Sequence, residues 1–63
     1  MDPTQTLIYA LSAMLQAQDG KESPNGARSE AMEALEDLRK WLYIGGFMPD
    51  AREAIRVALE ANS

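Results

Sequence analysis

Trp41, Leu42, Tyr43 and Ile44 stand in a row at the end of a helical run, and Gly45-Gly46 cuts that run off. Successive residues of a helix point about 100° apart, so the block puts apolar bulk on every side of the axis. A surface helix of a globular domain carries its apolar stripe on one side only. The remaining sides need cover, and the chain has 63 residues with which to supply it. A chain of that length buries only about 60% of its unfolded surface and is marginal alone. Small domains make good the deficit with disulfides, metal sites or partner chains. Cys and His are both absent, which removes disulfides, thiolate sites and the commonest metal ligand. Association with further copies is the remaining device, so the sequence predicts a homo-oligomer, a dimer or higher.

Val and Ile are scarce and no stretch alternates with period two, which argues against strands. The expected fold is all-α: one domain, residues 1–63, built as a three-helix unit with long helices 1 and 2 antiparallel and a short helix 3. Helix 1 is expected over about 3–18, capped by Asp2 with Pro3 in the first turn and stopped at Gly20. Leu7, Ile8, Leu11, Met14 and Leu15 make its core stripe, while Ala10, Ala13 and Ala17 form a second contact face. "DGKESPNG" is a linker, 19–26. Helix 2 follows over about 27–44, or from Pro24, with Ser23, Asn25 and Ser29 as competing caps. Its buried stripe is Ala27, Ala31, Leu35, Leu38 and Leu42, with Met32 and Trp41 beside it. On its outer side Glu36 and Lys40 are spaced to pair. After a turn at 45–49, helix 3 runs over about 50–61 from a capping box, "DARE", in which Asp50 and Glu53 satisfy each other's turn. Ala51, Ala54, Ile55, Ala58 and Leu59 face its core. Short connections predict antiparallel neighbours throughout.

Nucleophilic catalysis needs a nucleophile beside a base. The serines have no His or Cys to serve them, and Glu33, Glu36 and Asp37 read as a solvated acidic face. The expectation is therefore no enzyme, no catalytic residue, no cofactor and no metal site. A net charge of −4 speaks against a duplex-DNA binder, which carries a basic face. No basic residue precedes Lys21, so no secretory n-region is expected. Residues 3–18 carry no charge but are too short and too interrupted by Gln, Thr and Ser to span a bilayer. A cytoplasmic protein without a membrane partner is the expectation.

Trp and Tyr dominate the hot spots of protein interfaces. Tyr9, Trp41, Tyr43, Ile44 and Phe47, with Ala13 and Ala17 as a close-approach face, are the expected protein-contacting residues. Arg52 and Arg56, four apart on helix 3, offer two guanidinium groups to an anion, and Tyr43 could stack on a base. These three are the candidates for a small nucleotide ligand. "GGFMP" between helices 2 and 3 would also pass for the turn of a helix-turn-helix regulator.

Over "EALEDLRKWLYIGGFMPD" the chain resembles short helical proteins encoded in bacteriophage and prophage genomes, many of which end an acidic-leucine helix in W-L-x-x-G-G-F-x-P. Trp41, Leu42, Gly45, Gly46, Phe47 and Pro49 fill that pattern, across about a third of the chain. The resemblance implies an accessory protein of the host-cell cytoplasm that binds and inhibits a host or defence protein. Some such helical oligomers instead sequester nucleotide signals. The leading expectation is a self-associating, non-enzymatic inhibitor with an aromatic helical surface. A nucleotide sponge and a helix-turn-helix regulator are the alternatives.

Overall fold

A computed structural model describes residues 1–63, and it is all-helical: α1 Pro3–Gln18, α2 Pro24–Tyr43 and α3 Ala51–Ala61. Local chemistry accounts for every boundary. The Asp2 carboxylate accepts from the Thr4 and Gln5 amides at 3.1 and 3.2 Å, and Pro3 begins α1 where a missing N–H costs nothing. Ser23 Oγ accepts from the Gly26 amide at 3.1 Å with Pro24 next. Ser23 is thus the working cap, so α2 starts at Pro24 and the linker is shorter than the sequence suggested. The ends of α1 and α2 follow one rule. Gly20 (φ +75°) and Gly45 (φ +92°) take the left-handed conformation. The Lys21 and Gly46 amides then reach back to the Gln16 and Trp41 carbonyls, each at 2.8 Å.

α3 begins with half of the expected capping box. Asp50 accepts from the Glu53 amide at 3.0 Å, but Glu53 pairs with Arg56 and does not return the bond. The Asp50 amide donates instead to Thr4 Oγ1 at 2.9 Å. At the other end of α3, Asn62 donates to Ser12 Oγ at 3.2 Å and accepts from Gln16 Nε2 at 3.4 Å. These contacts join start to start and end to end, so α3 runs parallel to α1. α2 runs antiparallel to α1, with Pro24 and Ala27 beside Ala17 and with Ala31 and Ala34 beside Ala10.

α1 touches both other helices, whereas α2 and α3 do not touch each other. The expectation of antiparallel neighbours therefore fails for the second connection. Residues 44–50 carry the chain past the start of α1 and deliver α3 to its far side, where Thr4 receives it. The result is a single layer, α2–α1–α3, whose Cα trace spans 36 × 23 × 12 Å.

The seams of this layer are made of alanine. Ala10 and Ala13 of α1, Ala27, Ala31, Ala34 and Leu38 of α2, and Ala54 and Ala58 of α3 are buried, together with Pro3. Ala27, Ala31, Leu38, Ala54 and Ala58 take the buried places expected of them, but most of the large side chains in the expected stripes sit elsewhere. Leu7, Ile8, Leu11, Leu15 and Leu42 are half-buried. Met14, Met32, Leu35, Ile55 and Leu59 are exposed. Small side chains at i, i+3/i+4 spacing let helix axes approach closely. Choosing that seam pushes the larger residues, which flank it by about 60–100°, onto the faces of the layer.

Candidate interaction surfaces

The two faces of the layer differ in chemistry. On one, a groove of about 370 Å³ between α1 and α2 is lined by Gln5, Thr6, Tyr9, Glu30, Glu33 and Asp37. Tyr9 is exposed there among three carboxylates. On the other, two apolar grooves meet at Met14. The groove between α1 and α3, about 400 Å³, is lined by Leu11, Met14, Leu15, Ile55 and Leu59, with Ala58 as its floor. That between α1 and α2, about 340 Å³, is lined by Met14, Ala17, Met32 and Leu35, with Arg28 its one charged group. No carboxylate lines either of them.

The corner after α2 is a third surface. Trp41 packs edge-on against Phe47, with ring centroids 5.5 Å apart and planes at 87°. The indole Nε1 donates to the Phe47 carbonyl at 3.0 Å. This closure lays the indole over Gly46, where a Cβ would come within 2.2 Å of Trp41 Cε2. The "GG" pair is thus divided in function: Gly45 supplies the backbone turn and Gly46 the space. Phe47 folds back onto Trp41 of α2 and, like Met48, stays exposed. Tyr43 and Ile44 are 87% and 76% exposed beside Arg39 and Lys40.

These positions sort the expected contact residues. Tyr9, Tyr43, Ile44 and Phe47 are exposed and free to meet a partner. Trp41 is half-buried and holds the corner together. Ala13 is 4% exposed and lies within the chain's own packing, and Ala17 is half-buried beside α2. The small-residue face of α1 is a contact face, but its occupant is α2. Sequence reasoning placed Met14, Leu35, Ile55 and Leu59 in the core, with Met32 beside it, and so missed them as surface residues. Their one available signal was competition from an alanine stripe on the same helix.

The candidate nucleotide site does not assemble within one chain. Arg56 is bracketed by Glu53 and by Glu60, the latter at 3.1 Å, and both carboxylates hold its guanidinium charge more firmly. Arg52 has no such partner. Tyr43 belongs to α2, which does not touch α3. The same separation means that α2 and α3 do not form a helix-turn-helix pair. On α2, Glu36 pairs with Arg39 (Nε to Oε2, 2.9 Å) and not with Lys40 as the spacing suggested. Hydrogen bonding from Arg39 lowers the Glu36 carboxyl below the ordinary glutamate value. Glu22 is shifted the other way. Burial first, and then the nearby Glu30 carboxyl, raise its carboxyl above the ordinary value, and Glu22 Oε2 is buried without a hydrogen-bond partner.

No group of three acidic side chains is placed to share a metal ion, and no helix is long and apolar enough to cross a membrane. Comparison with family models, curated proteins and solved structures gives no match for this chain.

Proposed function

We propose that this chain is a non-enzymatic interaction protein that self-associates and docks on a second protein through its aromatic corner. One observation carries the reading. Eleven large apolar residues stand exposed, while the chain packs its own helices through alanine. Scattered exposed apolar residues are ordinary, but contiguous ones mark interaction sites. Nine of them fall into two sets, the Met14 face (Met14, Met32, Leu35, Ile55 and Leu59) and the corner Tyr43, Ile44, Phe47 and Met48.

The corner suits a hetero-partner. Trp41, Gly46 and Phe47 fix its shape through one hydrogen bond and one ring pair, so little ordering is left to do on binding. Tyr43 and Ile44 project beside it, with Arg39 and Lys40 as a polar rim. The phage-type resemblance over this same segment supports a host or defence protein as the target, with inhibition as the outcome. The test is a Tyr43→Ala/Ile44→Ala variant, because neither side chain supports the fold. Quantitative affinity purification from the bacterial cytoplasm should recover with the parent a protein that the variant loses, at unchanged helicity by circular dichroism. Equal recovery by both would overturn the corner as the docking site.

A further inference from the structure

We infer that the Leu11–Met14 face is the homodimer interface, with a second copy of this chain laid over it as the missing layer and Met14 near the twofold axis. The inference rests on the self-association reading above and assigns it a surface. Stable domains are built from at least two packed layers around a core. This chain supplies one, in which α1 packs on both other helices and α2 and α3 do not meet. Its accessible surface is 4470 Å², whereas a compact monomer of 6.9 kDa exposes about 4000 Å². The excess is what an uncovered face adds.

Area and charge choose the occupant. The Cα trace of the layer spans 36 × 23 Å, and side chains widen the face further, so it has room for a standard-size contact. A standard-size interface takes about 800 Å² from each partner, so one copy covers one face. A twofold contact sets each residue near the axis against its own equivalent. The chain carries −4, so most of its surface repels itself. The opposite face would oppose Glu30, Glu33 and Asp37 to their own copies. The Met14 face has no carboxylate in either groove. It is also Met-rich and charge-poor, the composition of an interface centre. Met14 is the ridge between its two grooves, and ridges of one helical layer seat in the grooves of another. The partner layer then buries Met32, Leu35, Ile55 and Leu59 together, completing a core that each chain half-builds.

Sedimentation of the full chain, its Met14→Glu variant and the Tyr43→Ala/Ile44→Ala variant tests this. The parent should sediment as a dimer, and the corner variant should match it. Met14→Glu should raise the dimer dissociation constant by at least about a hundredfold, since like charges meeting in an interface cost several kcal/mol. A monomeric parent would overturn the interface and self-association together. A parent dimer that Met14→Glu leaves intact would overturn the face alone. Because a buried Glu could impair folding, Met14→Cys gives a second arm in this cysteine-free chain. A short bismaleimide should link Met14→Cys copies efficiently and Tyr9→Cys copies poorly. The reverse pattern would place the contact on the acidic face and overturn the inference.

Discussion

Gly46→Ala isolates the closure of the aromatic corner from backbone strain. Gly46 does not have a positive φ, so alanine is locally permitted there. The obstacle is the indole, which a Cβ would meet at 2.2 Å. Trp41 has to move off the turn, losing its bond to the Phe47 carbonyl and the edge-on ring contact. The hydrogen bond is worth about 0.5–1.5 kcal/mol. The ring pair adds roughly 0.5–1.5 kcal/mol, for an expected loss of about 1–3 kcal/mol. In a domain of this size each kcal/mol is about 4–8 °C in Tm. Thermal unfolding by circular dichroism at fixed protein concentration reads the loss, and indole fluorescence should shift red as the ring enters water. The control is the same change in a Trp41→Ala background, where nothing remains to collide and the penalty should fall to a few tenths of a kcal/mol. An equal penalty in both backgrounds, or none in the parent, would refute the steric origin.

Two other changes probe the seams and the electrostatics. Ala58→Leu forces three extra carbons into the α1–α3 seam, where Ala58 is 1% exposed, and should lower stability by about 1–3 kcal/mol in urea titrations; no effect would mean that the alanine seam is not the packing contact. Glu22→Gln tests the raised Glu22 carboxyl. A carboxyl raised in the folded state holds its proton more tightly there, so stability is lost as pH rises from the ordinary glutamate value, about 4.3, through the folded value. The variant lacks this loss, so its Tm advantage over the parent should grow from acid to neutral pH; a difference independent of pH would remove the raised Glu22 carboxyl as its cause.

Helix positions were legible because they are written in local chemistry. Asp2, Gly20, Gly45 and Asp50 act within a few residues of themselves, and each boundary follows from its own cap. The start of α2 was less so, since Ser23, Asn25 and Ser29 are all competent caps and only Ser23 engages. The inward face was legible in part: Ala27, Ala31, Leu38, Ala54 and Ala58 are buried as expected, whereas the large residues grouped with them, Leu35, Ile55 and Leu59, and Met14 on α1 are not. On every helix, large residues and alanines form adjacent stripes, and hydrophobicity ranks the large ones as core. Close approach decides otherwise, and it depends on what the opposite helix presents. The path of the second connection is also non-local. Thr4 with Asp50 and Ser12 with Asn62 fix α3 beside α1 across 46 and 50 residues, and neither pair has a sequence signature. The aromatic surface, by contrast, was visible because a run of four bulky residues cannot all face one neighbour. Tyr43 and Ile44 point outward for that reason.

A one-layer fold completed by a second copy has to melt at a temperature set by its own concentration. Unfolding a dimer of two 63-residue chains over a hundredfold concentration range changes its free energy by about 2.7 kcal/mol, which corresponds to about 10 °C in Tm at typical unfolding entropies. Melting the full chain by circular dichroism across that range is the most direct measurement. A Tm that climbs by about 10 °C is expected. A Tm that stays constant across the range would mean that the single layer is stable alone, and that its apolar face has no second copy to cover it.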